Sequence, residues 1–217
     1  MSKPEFIARQ GRRPTGLLGR LVARIMAKET RPENERTLGF LNLTEQDQVF
    51  EIGFGHGETL NRIARQVPKG RMGGIDFSQV MVSHARRRNR KWIDQGRMDL
   101  RLGDSAEIPD DVGHFTKVFS VHTIYFWQRP ADHLSQAFRI LHPRGRLVLG
   151  YRSTADEKAV RSFPDTVYRF PGVADVDDHL RVIGFENVGT NTAFVGERLM
   201  HWTVAEKPAP PGIPTDR

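Results

Sequence analysis

The stretch Val49-Phe50-Glu51-Ile52-Gly53-Phe54-Gly55-His56-Gly57-Glu58-Thr59-Leu60 joins an apolar run to glycines on alternate positions and then to a helix-forming segment. Glycine lets a turn approach a ligand closely and adopts positive φ without a steric clash. A helix that begins near Glu58 directs free N–H groups and the positive end of its dipole into the same space. The pattern therefore predicts a strand, a ligand-binding turn and a helix, with Glu51 near the end of the strand.

Two acids downstream narrow the choice of ligand, since a glycine-rich turn alone also suits nicotinamide and flavin cofactors or tight packing. Asp76 ends a second apolar run and follows Gly53 by 76 − 53 = 23 positions, the interval expected for a carboxylate that accepts hydrogen bonds from ribose hydroxyls. Asp104 ends a third run and could accept a hydrogen bond from an adenine amine. Each acid also has a local alternative, because Asp76 could cap the next helix through Ser78 and Asp104 could cap a turn from Ser105 to Ile108.

The periodicity of the chain changes at about Gln48. The first 45 residues look helical, with apolar residues at helical spacing from Leu17 to Met26 and a second helix from Glu33 to Leu41. Short apolar strands then alternate with amphipathic helices, a pattern typical of βαβ units and a parallel sheet. The predicted strands lie near 48 to 53, 71 to 76, 98 to 103, 116 to 121 and 145 to 151, and a helix near Val173 to Ile183 precedes strand-like runs near Glu186 to Val188 and Arg198 to Ala205.

These motifs together resemble those of the class I S-adenosylmethionine-dependent methyltransferases. The resemblance rests on Glu51, Gly53, Gly55 and Gly57, on Asp76-Phe77-Ser78-Gln79-Val80-Met81, on Gly103-Asp104-Ser105-Ala106 and on Ala137 to Leu149. Its Ser-x-x-Met and Arg-Ile-Leu-x-Pro-x-Gly pieces are similar to the small-molecule branch that includes the ubiquinone and menaquinone C-methyltransferases. The match runs from about Thr44 to Leu149. It departs from the family at His142-Pro143-Arg144-Gly145, where Lys-Pro-Gly-Gly is frequent, and this change should leave the cofactor site untouched.

The resemblance implies an α/β fold, namely a Rossmann-like, seven-stranded, mostly parallel sheet with helices on both faces and an antiparallel last strand. It also implies a domain plan. Residues 1–45 are expected to form an N-terminal helical cap or lid, residues 46–207 the methyltransferase domain with a substrate-side insert at about 151–170, and residues 208–217 a disordered tail. Leu17 to Met26 and Tyr151 to Phe170 are expected to cover the cofactor cleft.

The resemblance also implies S-adenosylmethionine as the cofactor and assigns residues to it. Gly53 to Gly57 would pass beside its methionine portion, with Glu51 near the ammonium group. Asp76 would hold the ribose. The remaining expected contacts are Phe54, Phe77 and Met81, then Asp104, Ser105 and Ala106 at the adenine edge, and His122.

The residues after the fourth strand are the candidates for the methyl acceptor, because the carboxyl end of that strand should face the transferred methyl group. His122 and Tyr125 are the predicted catalytic residues, since an imidazole could take a proton from a phenol, an amine or an activated carbon. His122 could instead bond the cofactor or cap the loop. The aromatic residues Tyr125 to Trp127 could stack on an aromatic ring or complete the core. Tyr151 and Arg152 are secondary candidates. The predicted acceptor is a small aromatic or quinone-like molecule.

Other functions remain as alternatives. A nicotinamide-dependent oxidoreductase would need a glycine where Glu58 stands, and the chain has no Tyr-x-x-x-Lys dyad. An RNA methyltransferase could use the basic clusters, which lie in Met1 to Arg31 and Arg86 to Lys91. A regulatory nucleotide-binding protein without catalysis is a further possibility.

Composition favours an ordinary globular domain over a nucleic-acid partner. The net charge is +7 with a pI near 10.1, but an arginine run is more often a solvated helix face, so we do not expect a nucleic-acid substrate. Contact of the basic N-terminus with a membrane surface could occur. Zero cysteines exclude disulfides and thiolate metal sites, and no histidine pair has metal-binding spacing, so we expect a cytoplasmic protein without a metal. We expect a monomer or a homodimer.

Overall fold

The computed structural model describes residues 4–13 and 30–210, which form an α/β fold around one sheet. In this part of the chain the strands are β1 (Val49–Ile52), β2 (Met72–Asp76), β3 (Met98–Leu102), β4 (Phe115–Val121), β5 (Leu141–Tyr151), β6 (Glu186–Val195) and β7 (Arg198–Glu206). The helices are α1 (Glu5–Arg12), α2 (Arg31–Leu41), α3 (Glu58–Gln66), α4 (Gln79–Arg88), α5 (Arg90–Asp94), α6 (Pro130–Ile140), α7 (Glu157–Ser162) and α8 (Val173–Ile183).

The sheet places its carboxyl edge at a topological switch point. Its seven strands lie in the order β3-β2-β1-β4-β5-β7-β6. β1 pairs in parallel with both β2 and β4. The crossover after β1 leads to β2 on one side of it, and the crossover after β3 leads to β4 on the other side. A point where the strand order reverses in this way forms a crevice that binds ligands. β7 is antiparallel to β5 and β6. The predicted fold class is therefore confirmed.

Residues of β1 alternate between two hydrophobic cores, one on each face of the sheet. Phe50 and Ile52 belong to one core, while Val49 packs with Leu60 and Ile63 of α3 in the other. This alternation follows from the two-residue period of a strand, and it explains why β1 is buried along its whole length. Full burial of each such side chain contributes roughly 1.5–3 kcal/mol, so β1 anchors the loop that follows it.

Most predicted boundaries agree with the structure, but two strands are longer than expected. β5 begins at Leu141 rather than near 145, and β6 extends to Val195 rather than 188. The full length of β6 could not be predicted because Asn187 to Thr192 is mostly polar. β6 lies at the edge of the sheet, where its side chains alternate between half-buried and exposed. The predicted lid helix from Leu17 to Met26 lies outside the described residues, as do residues 211–217 of the predicted tail.

The arginine run serves the local structure. Arg86 donates two hydrogen bonds to the Leu100 carbonyl, at 3.0 and 2.6 Å. Arg88 pairs with Glu58, and Arg90 pairs with Asp94. These contacts agree with a solvated helix face. None of the helices in the described ranges is long and apolar enough to cross a bilayer.

Arg144 has a strained backbone conformation of the kind that favours glycine. Its φ is 62°, in the left-handed region, and its N–H donates to the Lys207 carbonyl at 2.8 Å. An Arg144→Gly variant should unfold with a free energy roughly 0.5–1 kcal/mol higher than the parent protein, because relief of about 1–2 kcal/mol of strain exceeds the extra chain entropy of glycine. Urea denaturation measures the difference. Arg87→Gly, within α4, should lower the same free energy by about 1 kcal/mol. If the Arg144→Gly variant is no more stable than the parent protein, the backbone at Arg144 is not strained.

Candidate active site

The loop between β1 and α3 approaches its neighbours so closely that it requires glycine. Gly53, Gly55 and Gly57 have φ of 74°, 53° and 73°. A Cβ on Gly53 would collide with the side chain of Thr123, and one on Gly57 would lie 2.6 Å from Asn89 Nδ2. Gly57 precedes α3, as predicted, so the N–H groups of the first turn of α3 point toward the crevice.

Asn89 holds this loop from behind, a role that the sequence did not suggest. Its buried amide donates to the carbonyl oxygens of Gly57 and Ala85, both at 2.9 Å, and accepts from Asn61 Nδ2 at 2.9 Å. In the sequence Asn89 is one polar residue in an arginine-rich run, and only the packing of α4 against the loop gives it a function. It fixes the last glycine of the turn.

Asp76 holds the loop from the ligand side. One carboxylate oxygen accepts from the Gly55 N–H at 2.8 Å and the other from the Ser78 N–H at 2.8 Å. Burial raises the pKa of Asp76, and these two hydrogen bonds oppose that shift. The local alternative is therefore realised, but each oxygen has a second lone pair, and the side chain also lines a cavity.

That cavity has a volume of about 300 Å³ and lies at the ends of β1, β2 and β3. Its walls include many of the predicted cofactor residues, namely Gly53, Asp76, Phe77, Asp104, Ser105 and Ala106. Asp104 also accepts from the Ala106 N–H at 2.9 Å, which is the predicted turn. The carboxyl edge thus gathers the second and third motifs around one space.

One further residue of this wall, His133, was missed, and Trp127 was expected only as an acceptor contact or a core residue. The ring of Trp127 stacks on that of His133, with centroids 4.7 Å apart and planes 8° from parallel. His133 Nδ1 lies 2.8 Å from Ser105 Oγ, so α6 supports the loop after β3. A single histidine on a helix far along the chain carries no sequence signal for this position.

Several predicted cofactor residues lie outside the lining of the cavity: Glu51, Phe54, Gly55, Gly57, Met81 and His122. The ring of Phe54 is buried in the core on the α3 side of the sheet, and the expected contact of this residue with the cofactor stays a prediction. Only its backbone can contact a ligand. Met81 is buried at the start of α4, where its N–H lies 3.4 Å from Ser78 Oγ.

Glu51 is a buried carboxylate with an oxygen, Oε2, that has no hydrogen-bond partner among the described residues. Burial raises the pKa of Glu51 well above its ordinary value, and the nearby charge of Asp76 raises it further. An unpartnered buried acceptor is costly unless a ligand supplies a donor. The glycine turn, this acceptor and the cavity beside Asp76 therefore fit a ligand with a cationic amine and a ribose.

His122 follows β4 in a strained conformation, with φ of 60°. Its Nδ1 lies 2.9 Å from the Tyr125 hydroxyl oxygen, which accepts from the Arg152 N–H at 2.6 Å. The Tyr125 hydroxyl can still donate its own proton, and Nδ1 is the acceptor within reach, so we assign this proton to the bond with Nδ1 and the imidazole proton to Nε2. Nε2 is buried without a partner in the described ranges. Burial lowers the pKa of His122 to about 3, and the charges of Arg152 and Arg198 add to this shift. A histidine in this state is a poor general base, so its surroundings give no support to the predicted catalytic role of His122, which stays a prediction.

A family model described as a methyltransferase domain matches residues 49–145. The putative methyltransferase YrhH of Bacillus subtilis is 30% identical over 131 residues, which cover 60% of this chain and 72% of YrhH. The ubiquinone/menaquinone biosynthesis C-methyltransferase UbiE of Roseobacter denitrificans is 22% identical over 187 residues, covering 71% of this chain and 72% of UbiE. The chain belongs to the class I S-adenosylmethionine-dependent methyltransferases.

A solved structure shares the fold. The S-adenosylmethionine-dependent methyltransferase SibL in its apo form superposes with a TM-score of 0.71 at 20% identity. The match covers 89% of this chain and 60% of the SibL chain. The family fixes S-adenosylmethionine as the cofactor, which replaces the nicotinamide alternative.

Asp76→Ala should weaken binding of S-adenosylmethionine by about 10- to 150-fold, since a charged hydrogen bond contributes roughly 1.5–3 kcal/mol. Isothermal titration calorimetry measures the change. Asp94→Ala, at an exposed position of α5, is the control and should bind as the parent protein does. Undiminished affinity of the Asp76 variant would contradict its role toward the ribose.

The state of His122 predicts a pH effect on stability. The folded protein keeps this imidazole neutral, whereas an unfolded histidine takes up a proton below about pH 6.5. Acidification from pH 7 to pH 5 should therefore lower the free energy of unfolding of the parent protein by about 2 kcal/mol more than that of a His122→Asn variant. Asparagine tolerates positive φ, which keeps the backbone in place.

Denaturation at pH 7 and pH 5 measures this difference. His114→Asn, at an exposed position, is the control and should follow the parent protein. The account of His122 is wrong if parent and His122→Asn lose the same stability between the two pH values.

Proposed function

We propose that this methyltransferase acts on a small aromatic acceptor bound near His122. The observation that supports this most directly is the unpartnered Nε2–H of His122, which is buried at the carboxyl end of β4 beside aromatic side chains. A polar atom in such surroundings suits an acceptor that presents one polar group on an otherwise apolar ring.

The cofactor's surroundings follow from the loops already described. The loop from Gly53 to Gly57 and Glu51 would hold the amino-acid portion, Asp76 the ribose, and the loop from Asp104 to Ala106 the adenine. When bound, S-adenosylmethionine supplies a methyl group on a sulfonium, which is already an activated leaving group. The chain therefore contributes alignment of the acceptor and exclusion of water.

An aromatic cluster supports the proposed class of acceptor. Tyr125 contacts Phe126, Tyr168 and Phe170, with ring centroids 6.0, 5.9 and 4.9 Å apart. Tyr125 is buried in the core, whereas Phe126 is half-buried and lines the cavity. Phe126 thus offers an aromatic surface on which an acceptor ring can stack.

The insert after β5 contributes two members of this cluster. Tyr168 also packs against Phe126, with centroids 4.8 Å apart, and the Arg169 N–H donates to the Tyr125 carbonyl at 3.0 Å. The region from Tyr151 to Phe170 therefore lies against the residues that follow β4. This contact supports the proposal that the insert helps to cover the site.

Burial favours a small acceptor over a macromolecule. Nε2 of His122 is enclosed by the described residues, so only a small group that enters between them could reach it, and several arginines of the basic run already have intramolecular partners. The relative named for ubiquinone and menaquinone biosynthesis supports the same class. An RNA substrate has no comparable support among these observations.

A panel of simple phenols and hydroquinones tests the proposal. Purified protein with S-adenosylmethionine should form S-adenosylhomocysteine with at least one of them and not without an acceptor, as measured by liquid chromatography. A protein carrying Phe126→Ala should lose activity by about 2- to 12-fold, since aromatic stacking contributes roughly 0.5–1.5 kcal/mol beyond burial. Methylation of bulk RNA together with inactivity toward the whole panel would contradict the proposed acceptor.

A further inference from the structure

Glu33 is a fully buried carboxylate that the methyltransferase motifs do not include. It lies in the first turn of α2, and its side chain is 1% exposed. Oε1 accepts from Arg198 Nη1 at 2.9 Å, whereas Oε2 has no partner among the described residues. One ion pair thus accounts for only half of this carboxylate.

The position of Arg198 brings Glu33 to the acceptor side of the molecule. Arg198 is the first residue of β7, and β7 runs antiparallel to β5. The start of β7 therefore lies at the edge of the sheet where β4 and β5 end. Glu33, which pairs with Arg198, lies at the same edge.

The packing of α2 brings this ion pair near His122. Thr37, one turn after Glu33 in α2, lies on Gly150, since a Cβ on Gly150 would be 3.2 Å from Thr37 Oγ1, and the Gly150 carbonyl accepts from the His122 N–H at 2.8 Å. Burial is the main cause of the lowered pKa of His122 and of the raised pKa of Tyr125, and the charges of Arg198 and Glu33 add to these two shifts respectively. Tyr125 in turn bonds His122 Nδ1. The carboxylate and the imidazole therefore share one buried polar region.

The two unpartnered atoms of this region are of opposite kinds. With the tautomer assigned above, His122 Nε2 donates, whereas Glu33 Oε2 can only accept while ionised. A ligand that satisfies both must accept and donate through neighbouring atoms. A hydroxyl group does so with a single oxygen, whereas a quinone carbonyl or an ether can only accept.

We propose that Glu33 and His122 form a subsite for the hydroxyl group of a phenolic acceptor, an inference that rests on the proposed function. Glu33 Oε2 accepts the hydrogen bond of the hydroxyl, and His122 Nε2–H donates to its oxygen. Arg198 and Tyr125 are positioning residues that hold the carboxylate and the imidazole. The ring then lies toward the aromatic cluster of Tyr125, Phe126, Tyr168 and Phe170.

The test compares phenol with anisole. Anisole has a similar ring and oxygen but no hydroxyl proton. It can therefore accept a hydrogen bond from His122 but cannot donate one to Glu33. Protein saturated with S-adenosylhomocysteine and labelled with ¹⁵N-histidine is titrated with each compound. Phenol should bind about 10- to 150-fold more tightly than anisole, the ratio expected for one hydrogen bond to a charged acceptor, and should shift the Nε2 resonance of His122.

Two glutamine variants on the same helix separate Glu33 from a general effect of charge. Glu33→Gln should reduce the preference for phenol over anisole to below about threefold. Glu35→Gln, whose carboxylate is exposed and pairs with Arg31 and Arg62, should leave the preference unchanged. Unchanged affinity for S-adenosylhomocysteine confirms that each variant is folded. If Glu33→Gln does not fold, the comparison of the two ligands on the parent protein decides.

The outcomes distinguish this inference from the proposed function. Equal binding of phenol and anisole overturns the hydroxyl subsite and leaves an aromatic acceptor in place. Phenol binding that does not move the His122 resonance also overturns the subsite. If neither compound binds to the complex with S-adenosylhomocysteine, both the subsite and the aromatic acceptor are wrong. Only bound water would then be left to satisfy His122 Nε2 and Glu33 Oε2.

Discussion

The site depends on one carboxylate, that of Asp76, which joins two loops of the sheet's carboxyl edge. Because it accepts from Gly55 and from Ser78, the turn after β1 and the start of α4 are held in one arrangement before any ligand binds. Asn89 fixes the other end of the same turn through Gly57. Such preorganisation matters for methyl transfer, since the chemistry of a sulfonium requires the chain mainly to position its partners.

The parts of this arrangement that could be predicted are those written in local sequence. Alternate glycines, an acid at the required interval and alternating strands and helices were enough for the fold class and for the place of Asp76, because each depends on backbone sterics or on strand period. Asn89, His133 and Glu33 could not be predicted in the same way. Their partners are distant in sequence and become neighbours only when helices pack on the sheet.

The chemistry of His122 depends on its surroundings more than on its place in the sequence. Its place after β4 follows from chain order, but its protonation depends on burial, which keeps the ring neutral, and on Tyr125 and Arg152, whose hydrogen bonds favour the tautomer assigned here. The same surroundings that make it a poor base make it a good donor. The proposed acceptor side of the site thus rests on unsatisfied buried atoms, a property that no sequence pattern displays.

A crystal structure of the protein with S-adenosylhomocysteine tests the central claim most directly. The account predicts that the ligand occupies the cavity lined by Phe77 and Ala106, with its ribose hydroxyls within hydrogen-bond distance of Asp76 and its amine near Glu51. A ligand bound elsewhere, or one whose ribose leaves Asp76 bonded only to Gly55 and Ser78, would contradict it.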